Sequence, residues 1–155
     1  MEQIFEISNL EATEAFGRRL GQILFPGAIV ALVGPLGAGK THLVRAIAEG
    51  VGIGNPAVVS SPTFVLIHEY PARIPIYHFD AYRLSGSREF EDLGARDYFA
   101  SSGICLIEWA DRVEDALPRE HLRISIQIVD QERRQFKVTA IGVQYEDCLE
   151  RLNPL

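Results

Sequence analysis

The feature that most constrains this chain is an apolar run at residues 28–33, Ala-Ile-Val-Ala-Leu-Val, passing directly into Gly34-Pro35-Leu36-Gly37-Ala38-Gly39-Lys40-Thr41. A second apolar-periodic stretch, residues 43–49, follows at once. The order is strand, glycine loop, helix, which is the context in which G-x-x-x-x-G-K-[ST] acts as a phosphate-binding P-loop. Glycines let successive backbone N–H groups converge into one concavity, and the helix N-terminus adds partial positive charge. Lys40 is then expected to reach the outer phosphates of a nucleotide and the Thr41 hydroxyl to hold Mg²⁺. The plainer alternative is a glycine-rich turn that merely joins a strand to a helix.

Such a loop needs a sheet to carry it, and 155 residues suffice for one domain, 1–155, with a buried core. The expected fold is α/β: a P-loop NTPase-like three-layer sandwich whose central sheet is parallel near the loop and antiparallel at its hairpins, with helices on both faces. No apolar run is long enough for a membrane span. Residues 1–4 lack the basic start and apolar core of a secretory signal, so a cytoplasmic location is expected. Cys105 and Cys148 have neither metal-ligand spacing nor a secreted context, and the four histidines form no H-x-x-x-H pattern. Neither zinc nor a disulfide is expected. The net charge of −6 is spread along the chain, without the basic block of a free-standing nucleic-acid binder. If the function touches RNA, a partner is expected to supply most of the contact.

Around the loop, residues 3–7 read as a short strand, and Ser8-Asn9-Leu10-Glu11 has the spacing of a capping box with Ser8 at the N-cap. Ala12, Ala15, Phe16, Leu20 and Ile23 recur at helical spacing until Pro26-Gly27. Ser61-Pro62 reads as a bend entering a strand that ends at Tyr70, and residues 76–80 read as its hairpin partner. Residues 83–88 read as a polar loop and 91–99 as helical turns. Residues 104–108 form a second buried-strand candidate, residues 122–129 and 136–140 a further hairpin, and 143–152 a short closing helix.

Two of these strands end on a carboxylate. Glu108 stands where a carboxylate beside the loop commonly assists the metal, although an acid at a strand end can equally be a solvated terminus. Asp80 occupies the same kind of position and would bind Mg²⁺ directly, bind it through water, or place the nucleophile. Thr63 is either a switch residue sensing the terminal phosphate or a hydroxyl capping a turn. Trp109 by itself reads as core or interface packing, Arg133-Arg134 as an exposed hairpin tip, and His42 as a replacement for the commoner second hydroxyl after Lys-Thr.

Taken together, Gly37-Ala38-Gly39-Lys40-Thr41, Ser61-Pro62-Thr63-Phe64, His68-Glu69-Tyr70, Tyr77-His78-Phe79-Asp80-Ala81-Tyr82-Arg83-Leu84, Glu91-Asp92-Leu93-Gly94 and Cys105-Leu106-Ile107-Glu108-Trp109 resemble the TsaE family. These are small P-loop ATPases of bacterial tRNA threonylcarbamoyladenosine biosynthesis. The resemblance implies an accessory ATPase, weak alone, that binds ATP with Mg²⁺ and resets a TsaB–TsaD complex which itself modifies the adenosine beside the anticodon. It implies contact with tRNA only through those partners. It assigns phosphates to Lys40, metal to Thr41 and Glu108, the γ-phosphate side to Asp80, the switch to Thr63, a place beside the site to Trp109, and a nucleotide contact to Arg133. Gly37, Ala38, Gly39 and His42 join the nucleotide site by motif, and Asp111 and the Asn9-Leu10 region are weaker candidates for its base and ribose side. Two departures stand out: Pro35 replaces a commonly acidic residue, and His42 a commonly second threonine. Two other readings remain at this stage, a nucleotide-gated binding module whose hydrolysis is incidental and a small-molecule kinase.

Overall fold

A computed structural model describes residues 1–60 and 66–153. The elements run β1 (Glu2–Ile7), α1 (Leu10–Ile23), β2 (Ile29–Val33), α2 (Lys40–Val51), β3 (Ile67–Tyr70), β4 (Ile76–Asp80), α3 (Ser87–Asp92), α4 (Ala95–Phe99), β5 (Ile104–Glu108), β6 (His121–Ile128), β7 (Arg134–Ile141) and α5 (Val143–Arg151), with 3-10 turns at Pro56–Val58 and Ala110–Ala116. The strands form one sheet in the order β1-β7-β6-β2-β5-β4-β3. Pairing is parallel from β4 through β5 and β2 to β6, and antiparallel at both margins. This is the mixed α/β sheet expected, and its logic is physical: strands buried on both faces read as unbroken apolar runs, while hairpin strands alternate. β2 and β5 are of the first kind and β6 of the second.

Period-two alternation divides the core into two layers. Val30, Leu32, Ile104 and Leu106 face one cluster with Phe16, Leu20, Leu43 and Ile47 of α1 and α2 and Leu149 of α5. Ile29, Ala31, Cys105 and Ile107 face the other, with Phe79, Phe90 and Val113. α1 and α2 approach so closely that only glycines fit between them. A Cβ on Gly17 would lie 2.4 Å from the Ala46 methyl, and one on Gly50 would lie 2.2 Å from the Arg18 carbonyl oxygen.

Several boundaries differ from the sequence expectations. α1 is capped by Asn9, whose Oδ1 accepts the Ala12 N–H at 2.9 Å, so the cap is one residue later than Ser8. An amide oxygen satisfies the orphan N–H as well as a hydroxyl does, and here the chain turns at Asn9. α3 begins at Ser87 and so takes in part of the expected polar loop, and left-handed Gly94 (φ 85°) breaks 91–99 into two short helices. The Ser61-Pro62 bend, Thr63 and the first residues of the strand ending at Tyr70 lie outside the described residues.

Candidate functional site

β2 lies between β5 and β6, both parallel to it, and the chain leaves the carboxyl ends of β2 and β5 on opposite faces of the sheet, into α2 and the 110–116 turn, which leaves a crevice there. The glycine loop fills the floor of that crevice. Gly37 (φ 79°) and Gly39 (φ 99°) are left-handed, and nothing lies within 4 Å of a Cβ built at either, so these positions require glycine for backbone conformation rather than for space. Gly34 is different: a Cβ there would meet the Ile126 carbonyl oxygen at 3.0 Å, because β6 passes close by.

Lys40, the first residue of α2, is buried and folds back over the loop. Its Nζ donates to the Gly34 carbonyl at 2.7 Å and the Pro35 carbonyl at 2.9 Å, and it sits 4.0 Å from the centroid of the Trp109 ring. Burial holds its pKa below the ordinary lysine value, an effect opposed by the nearby carboxylates of Glu108, Asp111 and Asp80. Thr41 Oγ1 reaches both oxygens of Glu108, at 3.2 and 3.3 Å. Glu108 ends β5 and is only 3% exposed, so it is no solvated terminus. A carboxylate so placed needs donors, and His78 supplies one, with Nε2 2.5 Å from Glu108 Oε2.

Asp80 lies directly across the β4–β5 ladder from Glu108, and its Oδ1 accepts the Tyr82 N–H at 2.9 Å. Trp109 is the one non-glycine among the described residues with positive φ, 58°. That bend swings the indole off the end of β5 and over Lys40, where it also packs on Tyr82 with ring centroids 4.8 Å apart. An aromatic residue held in the left-handed region carries a backbone cost and marks a constrained position. Asp111 is the second residue of the following 3-10 turn and is exposed.

Two grooves meet at the loop. One, about 350 Å³, is lined by Leu36 to His42 together with Glu108 and Trp109. The other, about 570 Å³, runs from Gly37, Ala38, Gly39 and His42 to Asn9, Leu10 and Thr13 of the α1 start and to Gln131, Glu132 and Arg134 of the β6–β7 hairpin. His42 therefore touches both. Of the arginine pair, Arg133 points into solvent and binds Asp130 at 2.7 Å, 63% exposed, whereas Arg134 Nε donates to the Ala38 carbonyl at 3.2 Å. The structure thus puts Arg134 against the loop in the place given to Arg133. The cause is register: Ile128 pairs Arg134 across the hairpin, which sends Arg133 into the connecting turn.

Loop, Lys40, Thr41, His42, Asp80, Glu108, Trp109 and Asp111 are thus gathered at one end of the sheet, with Arg133 apart from them and Thr63 outside the described residues. Sequence reasoning assigned no role to His78 or Arg134. Period-two alternation puts His78 on the same face as Asp80, but its approach to Glu108 depends on β4 lying beside β5, and strand order is not written in one sequence.

A mixed sheet with a glycine loop at the carboxyl end of a central parallel strand, a lysine and threonine opening the next helix, and a buried glutamate facing them defines the class: an α/β protein built around a glycine loop at the end of its central strand. Within that class, the sequence model described as "Threonylcarbamoyl adenosine biosynthesis protein TsaE" matches residues 7–136. Proteins described as "tRNA threonylcarbamoyladenosine biosynthesis protein TsaE" are similar over most of the chain. That of Bacillus subtilis (strain 168) is 42% identical over 94% of this chain and 90% of its own, and that of Nostoc sp. is 36% identical over 96% and 92%. A crystal structure titled as Bacillus subtilis YdiB superposes with a TM-score of 0.82 at 34% identity, covering 98% of this chain and 94% of that one. The chain belongs to the TsaE family, and its role lies in tRNA threonylcarbamoyladenosine biosynthesis.

Proposed function

We propose that the chain is a Mg²⁺-dependent ATPase, slow by itself, whose nucleotide cycle serves a TsaB–TsaD complex and permits its repeated turnover. The observation that carries this reading is the meeting of Thr41 and Glu108 beside the glycine loop. The residues fit the groups required. Open left-handed glycines at 37 and 39 leave the loop concave, with room for phosphates along the 350 Å³ groove. Among the described residues there is no group of three or more His, Cys, Asp or Glu side chains disposed to hold a metal. One hydroxyl and one carboxylate suit Mg²⁺, which keeps several waters and takes one or two protein oxygens plus phosphate. Bound there, Mg²⁺ would neutralise charge on the phosphate oxygens.

The protein's own part is positioning. Lys40 must leave the Gly34 and Pro35 carbonyls to meet the phosphates, and Trp109, stacked on it, moves or yields as it does. To Asp80, across the ladder from Glu108, this reading gives the orientation of water on the phosphate side. His42 and Arg134 border the larger groove, which suits a base and ribose and includes the Asn9-Leu10 region. Arg134 is committed to Ala38, on the groove that Glu108 does not line, and no arginine is among the described residues lining the smaller groove. An arginine finger is worth about 10³–10⁵ in rate, hence the slow solo turnover. The acidic balance of −6 suits a protein that meets tRNA through its partners. Among the described residues no helix is long and apolar enough to cross a membrane, and a cytoplasmic location is part of this proposal.

The deciding experiment measures phosphate release with and without TsaB–TsaD, and ATP binding by calorimetry, for wild type and Lys40→Ala. Weak release that the complex accelerates, with binding lost in Lys40→Ala, is the expected result. Unchanged affinity in Lys40→Ala removes the cradle, and rapid release by the isolated chain removes the partner-dependent cycle.

A further inference from the structure

Behind the Thr41–Glu108 contact lies a polar column on β3 and β4. His68 pairs His78 across that ladder and Tyr70 pairs Ile76, so His68, Tyr70 and His78 share a sheet face, the one on which Glu108 sits. The His78 side chain is wholly buried and Tyr70 is 4% exposed. Buried polar groups of this kind need partners, and the column provides them in sequence. His78 Nε2 lies 2.5 Å from Glu108 Oε2, His78 Nδ1 lies 3.1 Å from the Tyr70 hydroxyl, and that hydroxyl lies 3.1 Å from His68 Nδ1.

With both imidazoles neutral, the donors can be assigned in only one way. An ionised carboxylate accepts and never donates, so His78 Nε2 carries hydrogen and its Nδ1 is left as an acceptor. The Tyr70 O–H must then donate to His78, and the hydroxyl oxygen must accept from His68 Nδ1–H. Every hydrogen bond in the column therefore points toward Glu108 and ends at Oε2, arriving along the sheet from the β3–β4 edge.

We infer that His78 is a positioning residue for Glu108, holding the carboxylate so that it meets a cation at the Thr41 hydroxyl, and that Tyr70 fixes the imidazole tautomer on which this depends. The inference rests on the metal role proposed above for Glu108. Thr41 and Glu108 come from different elements, α2 and β5, and the buried carboxylate is held from two directions, by the Thr41 hydroxyl and by His78 Nε2. Partners that orient a metal ligand in this way commonly change metal affinity by about 10–100-fold when lost.

The test is calorimetry of the β,γ-imido analogue of ATP over a MgCl₂ series and in EDTA, with thermal melting alongside. His78→Leu removes the donor, while His78→Gln returns an amide N–H near the Nε2 position. The expected result is a rise of about tenfold in half-saturating Mg²⁺ for His78→Leu. Affinity in EDTA stays within about twofold of wild type, and His78→Gln recovers most of the loss. Tyr70→Phe shifts the Mg²⁺ midpoint in the same direction by about threefold, and this variant decides the matter if His78→Leu does not fold. An unchanged Mg²⁺ midpoint in Tyr70→Phe and His78→Leu overturns the inference, as does equal loss of EDTA and Mg²⁺ binding in step with melting temperature. A wild type whose affinity ignores Mg²⁺ overturns the metal role of Glu108 as well, so the two failures are told apart by the wild type alone.

Discussion

Replacing Gly21 by alanine tests how the two helices that flank the larger groove are held together. A Cβ at this position would stand 2.2 Å from the Ile47 carbonyl oxygen, 2.8 Å from the Gly50 Cα and 2.9 Å from the Val51 nitrogen. All three obstacles are backbone, so no side-chain rotation relieves them, and a normal contact requires α1 and α2 to part by roughly 1 Å. Overpacking of this kind costs about 1–3 kcal/mol, and the absence of any flexible neighbour argues for the upper end. Alanine in place of glycine inside a helix returns about 1 kcal/mol through backbone entropy. The net loss is about 2 kcal/mol, which for a chain of this size lowers Tm by about 4–8 °C. Thermal melting followed by circular dichroism measures it, with Gly54→Ala as the control, since nothing lies within 4 Å of a Cβ there. Because Asn9 to Thr13 of one helix and the loop before the other line the same groove, nucleotide affinity should fall too. A Gly21→Ala protein melting at or above the wild type refutes the reasoning.

Arg134→Ala removes the bond to the Ala38 carbonyl and should weaken nucleotide binding several-fold by calorimetry, while Arg133→Ala, which breaks only an exposed pair with Asp130, should leave it unchanged. Asn9→Ala deletes the α1 cap and should cost about 1 kcal/mol in urea denaturation, with Ser8→Ala close to neutral; the reverse order would restore Ser8 as the cap. Burial pushes the thiol of Cys105 up to about 12 and that of Cys148 to about 11, so neither should react with a thiol reagent at pH 8 until the protein unfolds. The folded chain keeps these protons to higher pH than the unfolded chain. Their contribution to stability is therefore full below about pH 8.5 and falls as pH rises through the alkaline range, measurable as declining urea midpoints.

The loop, the acid-terminated strands and the mixed sheet could be read from the chain because each is a local pattern: an apolar run, a glycine spacing, an alternation. Glu108 illustrates this well, since a buried run ending on a carboxylate is visible without knowing its neighbours. Features that depend on how segments meet were less legible. The choice between Arg133 and Arg134 turns on a hairpin register of one residue, and a slip of one exchanges the inward and outward faces. His78 is an alternation position like any other until β4 is known to lie beside β5. Asn9 and Ser8 are chemically near-equivalent caps, so local backbone direction decided between them.

The sheet pairing also reveals how the crevice acquires its depth. β2 stops pairing with β6 at Val33 and Ser125, yet β6 continues to Ile128 with β7 alongside it. This leaves an overhang of about 10 Å at ~3.3 Å per residue, and the hairpin rises beside the loop like an awning over a doorstep. Its reach is independent of the parallel strands beneath, because among the described residues β7 alone pairs with those last residues of β6. Trimming the two arms in matched steps would therefore make the larger groove shallower, and would at the same time remove the Arg134 bond to the Ala38 carbonyl and the pairing of β1 with Arg134 and Gln135.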